Sequence, residues 1–130
     1  VTLIENVRTK LLADATVAGL VTGVHAMVVP QEATYPAVVL SVVGESPILA
    51  QEQTRATRLC RSMLQVDCYA DRYVNAHAVA AAVDVVLSAL ADPSDLTAQR
   101  QVSLDGYENE TQLYRVTADY AVFHGVETVP

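Results

Sequence analysis

The sequence predicts an α+β fold: a mixed, largely antiparallel sheet of about five strands with two main helices packed on one of its faces. Three observations predict it. Two stretches, one at the start and one from residue 70 onward, repeat apolar side chains every three or four positions. Shorter runs between and after them are rich in Val or alternate apolar with polar residues at a period of two. The resulting order is helix, strand, strand, strand, helix, strand, strand. It contains no repeat and no dividing linker, so residues 1–130 are expected to form one domain.

Thr2-Leu3-Ile4-Glu5 has the Thr-x-x-Glu spacing of a capping box, in which hydroxyl and carboxylate each satisfy an orphan amide of a first helical turn. Leu3, Val7, Leu11 and Leu12 follow on one helical face, with Glu5, Arg8, Thr9 and Lys10 on the other. Asp14 is placed to cap a further short turn over 15–20, and Thr22-Gly23 offers a stop. Val24 to Val29 is expected as a strand ended by Pro30, which has no amide to give to a ladder. After a loop, the run Ala37 to Gly44 reads as a buried strand. Glu45 to Thr57 is a polar excursion with Ile48 and Leu49 as its apolar pair, either a solvated loop or an arm that orders against a partner.

From Arg58 to Tyr69 the period of two places Cys60, Ser62, Leu64, Val66 and Cys68 on the core face and Leu59, Arg61, Met63, Gln65, Asp67 and Tyr69 outward. Ala70 to Ala91 carries the stripe Tyr73, Ala76, Ala80, Val83, Leu87 and Leu90, with Asp71 as a cap. Asp92-Pro93-Ser94-Asp95 ends that helix, because a residue before proline is pushed out of the helical region. Thr97 to Leu104 and Leu113 to His124 are then expected as a hairpin around Asp105-Gly106. On its second strand Tyr114, Val116, Ala118, Tyr120 and Val122 share the drier face. Val126 to Pro130 reads as a loose tail.

Composition narrows the function. Hydrophobic residues make up 52% of the chain and aromatics 5%, so Val, Leu and Ala must build the core. A net charge of −7 repels a phosphate backbone, which argues against sequence-specific DNA binding. No apolar run approaches the ~20 residues that span a bilayer, and no leader is recognisable, so a soluble, unexported chain with no membrane contact is expected. Cys60 and Cys68 on one strand would stand roughly 26 Å apart, too far for a disulfide. They are buried thiols, or else reactive or metal-binding ones.

Motifs for chemistry are missing. The five glycines are scattered singly, so no phosphate-cradling loop is present. His25, His77 and His124 do not share the i, i+4 spacing of a zinc helix, and no G-x-S-x-G elbow surrounds a serine. Asp105, Glu108 and Glu110 lack the spacing of a calcium loop. No catalytic, cofactor or metal site is expected, and the role read from the residues is assembly.

Several segments, taken in order, carry a resemblance. They are Leu11-Leu12-Ala13-Asp14 with Val17-Ala18-Gly19-Leu20, then Val29-Pro30-Gln31 followed by Tyr35-Pro36-Ala37-Val38-Val39-Leu40. Next comes Leu64-Gln65-Val66-Asp67-Cys68-Tyr69-Ala70-Asp71, a strand running directly into an Ala-rich helix. Last are Asp105-Gly106-Tyr107-Glu108 and Leu113-Tyr114-Arg115-Val116-Thr117-Ala118-Asp119-Tyr120. In this order they resemble the tail-completion or tail-terminator proteins of long-tailed bacteriophages, over nearly the whole chain. His25-Ala26-Met27 departs from that pattern, standing where such proteins often have an aromatic-proline step.

The resemblance implies a virion protein at the head-proximal end of the tail, assembled in the host cytoplasm. It would form a homo-oligomer, a ring usually of six subunits, that caps the tail tube and meets a head-completion or neck protein. Six copies at −7 each would carry −42, so a carboxylate-lined lumen would let genome DNA pass without sequence-specific binding. Ring closure needs two different patches on each chain. Glu45, Glu52, Arg55, Arg58 and Arg61 are the candidates, because the polar excursion and the outward strand face combine charge with scattered apolar residues. The alternatives are another neck or minor tail ring component, or, in a different class, a small ligand-binding or enzymatic domain.

Overall fold

The computed structural model describes residues 2–31, 33–47, 59–91 and 96–125. Its first helix, α1 (Leu3–Ala13), opens at Thr2, whose hydroxyl accepts from the Glu5 amide at 3.2 Å. Val7 and Leu11 are fully buried, but Leu12, expected to face inward, is 37% exposed on the flank of the helix. Asp14 breaks the helix by leaving the helical region and then caps α2 (Ala15–Leu20), its Oδ1 accepting from the amides of Thr16 and Val17, both at 3.0 Å. One carboxylate oxygen thus satisfies two of α2's orphan donors. Asp14→Ala is expected to cost about 1 kcal/mol, measured by chemical denaturation.

The strands are β1 (Gly23–Ala26), β2 (Ala37–Pro47) and β3 (Leu59–Ala70), followed by α3 (Tyr73–Ser88), β4 (Leu96–Glu108) and β5 (Leu113–Gly125). They form one five-stranded sheet in the order β1-β2-β3-β5-β4. Only β1 and β2 run parallel; the other three pairings are antiparallel. The helices lie on one face, as expected of a mixed, largely antiparallel α+β fold. Leu40 of β2, Leu64 and Val66 of β3 and Tyr120 and Val122 of β5 meet Val79, Val83 and Leu87 of α3 in one buried cluster, which Val7, Leu11 and Val17 extend. The alternation read for β3 holds, with Cys60, Ser62, Leu64, Val66 and Cys68 all buried.

Several expectations are corrected. The first strand stops at Ala26 rather than Val29, because Met27 adopts φ 69° and turns the chain out of the sheet. Asp71 does not cap α3: the capping position is Arg72, with no side-chain bond to an amide, and β3 runs on to Ala70. On α3, Tyr73 was expected in the buried stripe and is 48% exposed, while Val79 takes a core place. The hairpin turns at 109–112, not at Asp105-Gly106, which lies inside β4 paired with Val116 and Arg115. Gln112, at φ 56°, supplies the left-handed residue that the turn needs. Gly106 instead leaves room for a neighbour: a Cβ there would meet the Arg115 guanidinium at 3.1 Å. Of the excursion expected over Glu45 to Thr57, the part through Pro47 belongs to β2 instead, and the rest, with Arg58, the turn over 92–95 and the tail over 126–130, lies outside the described residues.

Two bulges change the parity of the sheet. Between Val42 and Gly44 of β2, and between Arg100 and Val102 of β4, one extra residue shifts the register. Leu96, Ala98 and Arg100 face the helices before the second bulge, and Ser103, Asp105 and Tyr107 face them after it, as their partners Tyr120, Ala118, Val116 and Tyr114 show.

Candidate functional site

Glu45 and Arg61 are the two sequence-nominated interface residues whose surroundings are defined; Glu52, Arg55 and Arg58 lie outside the described residues. Both are exposed at the same end of the sheet. Glu45 pairs with Ser62 and so stands on the helix side, where its Oε1 accepts from the Cys60 thiol at 3.4 Å. Arg61 pairs with Ser46 and Phe123 and projects from the opposite face. They therefore belong to two surfaces that share one rim.

Beside them, Ser62 Oγ and His124 Nε2 are 2.7 Å apart. A serine so close to an imidazole has the proximity of a nucleophile and its base. Ser62 is fully buried, however, so a substrate cannot reach its oxygen in this conformation. The contact satisfies a polar group in the core. Cys68 is equally withdrawn: burial, reinforced by the Asp67 charge, pushes its thiol up to about 12, which keeps it protonated and unreactive at neutral pH. Both cysteines are buried thiols outside any disulfide.

The face away from the helices is lined by the outward residues of β3, β5 and β4. Asp67, expected to be solvated there, is only 8% exposed, because Thr117 donates to its Oδ1 at 2.6 Å and Gln65 to its Oδ2 at 3.2 Å. One strand over, Oδ1 of Asp119 is buried without a hydrogen-bond partner. On the outermost strand, Val102 and Leu104 are 47% and 62% exposed, so the β4 edge carries apolar side chains into solvent.

A third feature had no sequence forecast as a group. At the start of α3, Tyr73 OH donates to Oδ2 of Asp105 at 2.8 Å, and His77 Nε2 lies 3.2 Å from both oxygens of the same carboxylate. The Tyr73 ring is 4.4 Å from His77 and 5.9 Å from Tyr114, and Tyr107 is 4.8 Å from Tyr114. The signal available in the sequence was the i, i+4 pair Tyr73 and His77, but their partners come from a hairpin about thirty residues away. The hydrogen bonds from Tyr73 and then His77 lower the Asp105 pKa below its usual 3.8. Its carboxylate is therefore expected to titrate below that value by NMR and to move up in Tyr73→Phe. The sign follows: a depressed native pKa favours the folded state above the unfolded pKa, and that contribution fades as pH falls through the native one.

Among the described residues, no group of three His, Cys, Asp or Glu side chains could hold a metal ion, and no helix is long and apolar enough to cross a membrane. A cleft of about 240 Å³ between α2 and α3, lined by Leu20, Pro36, Asn75 and Val79 among others, is below the usual range of small-molecule sites.

A family model described as "Tail completion protein gp17" matches residues 5–125. Among solved structures, a chain of the "Virion of native gene transfer agent (GTA) particle" superposes with a TM-score of 0.66 at 23% identity, covering 95% of each chain. At that identity the likeness shows a shared fold. No curated protein matches the sequence.

Proposed function

The chain belongs to the tail completion protein gp17 family, and from that premise we propose that it is a structural virion protein, without catalytic activity, that completes a phage-type tail. In the finer form of this reading it assembles into a homohexameric ring at the head-proximal end. There it caps the tail tube, meets the head-completion or neck protein, and lets the genome through. The family match over residues 5–125 carries the reading. The likeness in fold to a chain of a gene transfer agent particle supports it, as do the buried Ser62 and Cys68, which leave the most nucleophile-like groups out of reach.

The test is to delete the gene from the phage or prophage that carries it and to image the particles by electron microscopy. Filled heads and unjoined tails should accumulate, and the wild-type chain supplied in trans should restore joined, infectious particles. Joined particles in its absence would overturn the reading.

The rim that carries Glu45 and Arg61 is the proposed contact between neighbouring subunits, with Glu52, Arg55 and Arg58 contributing from the adjoining segment. Arg58→Glu with Arg61→Glu is expected to lower ring formation at least tenfold while leaving the thermal transition in place, read by light scattering with and without purified tail tubes. Unchanged assembly would remove the rim from the interface. The lumen is proposed to be acidic, and a ring whose channel is lined by basic side chains would refute that part.

A further inference from the structure

From the cluster at the start of α3, we propose that Asp105 and the rings of Tyr73, Tyr107 and Tyr114 form a docking site for an arginine side chain of a protein partner. The proposal names the chemistry of one contact within the assembly role above, and rests on that role for the partner's being another virion protein.

Charge complementarity carries it. Two carboxylates line the seam between α3 and the β4–β5 hairpin, Asp84 and Asp105. Asp84 has Arg100 at 3.7 Å, and Glu108, on the other face of the hairpin, has Arg115 at 3.3 Å. Asp105, among the described residues, is contacted by no Lys or Arg, only by the hydroxyl of Tyr73 and the imidazole of His77. Those two donors fix the carboxylate's orientation and leave further lone pairs on oxygens that are about half exposed. They also help to keep it ionised.

The aromatic surround selects the cation. Tyr73 and Tyr107 are 48% and 49% exposed although each touches a neighbouring ring, so this stack is held in order without being buried. Ordered, half-exposed tyrosines are the side chains that become anchors when a partner covers them. A guanidinium is flat enough to lie on a tyrosine face and forked enough to pair with a carboxylate at the same time, which a lysine ammonium is not. Nucleotide bases also stack on tyrosine, but the Asp105 charge and the net charge of −7 repel their phosphates.

The test uses the whole chain and a defined probe. The isotopically labelled protein is titrated by NMR with acetyl-Gly-Arg-Gly-amide, with the same peptide carrying citrulline, and with pentathymidylate. The arginine peptide should shift the ring signals of Tyr73, His77 and Tyr107 along one saturable curve. Citrulline, which keeps the shape and loses the charge, should bind at least fivefold more weakly. So should the arginine peptide with Asp105→Asn or Tyr107→Ala protein whose remaining spectrum is unchanged. Equal shifts from arginine and citrulline, shifts centred elsewhere, or equal binding of pentathymidylate would overturn the proposal. No tail takes part in this assay, so its failure leaves the tail-completion reading standing. Conversely, normally joined particles from a deletion strain would remove that reading without touching arginine binding.

Discussion

Leu64→Ala should destabilise the protein by about 3 kcal/mol, enough to lower its melting temperature by about 10 °C or more. Leu64 is fully buried near the middle of β3, a strand paired on both sides, between Val42 on β2 and Tyr120 on β5. Removing three carbons there forfeits their transfer out of water and opens a cavity beneath α3. The two antiparallel ladders hold the backbone in place, so the walls cannot collapse to fill it. With total stabilities of about 5–15 kcal/mol for domains in general, this is a substantial share. Urea denaturation followed by circular dichroism reads it directly. A loss under about 1 kcal/mol would mean that the helices do not pack on this face of the sheet.

The second large effect is at Tyr120, where two substitutions separate packing from hydrogen bonding. The ring is 1% exposed and its hydroxyl donates to Oδ1 of Asp84 on α3 at 2.8 Å. Burial, with the hydrogen bond to Asp84 second, raises the phenol's pKa, so it stays a neutral donor. Tyr120→Phe should cost only about 1 kcal/mol, because Asp84 keeps its bond from Ser88 at 3.2 Å and the Arg100 guanidinium at 3.7 Å. Tyr120→Ala should cost about 4 kcal/mol, since the void left by the ring lies between sheet and helix. Equal losses from the two variants would place the energy in the hydroxyl and contradict this partition.

The elements that were legible in the sequence are those in which one physical signal acts over many residues. β3 shows a clean period of two, α1 has a cap and a periodic face, and α3 has an apolar stripe; each is found within a few residues of its expected span. What failed was decided by single residues or by distant ones. Met27 ends β1 with a backbone angle that its side chain does not advertise. Asp105-Gly106 has the composition of a turn, yet it stays in β4, paired with Val116 and Arg115, and its glycine leaves room for the Arg115 side chain of the facing strand. Asp67 reads as a solvated carboxylate until Thr117, fifty residues on, is found donating to it. The aromatic cluster escaped for the same reason: its members are adjacent only after α3 folds over the hairpin.

The bulge in β4 also determines how this strand can vary. A strand is a two-phase code, and the extra residue at Gln101 is an inserted character that inverts the phase for everything after it. Residues 96–100 are read in even phase against the helices and residues 103–107 in odd phase, so the two halves of one strand obey opposite rules. Deleting Gln101 would leave composition and length almost untouched. It would make the ladder regular, with Val102 opposite Asp119 directly after Arg100 opposite Tyr120, so Asp105 and Tyr107 would keep their partners and their place beneath α3, and only the break in phase would disappear.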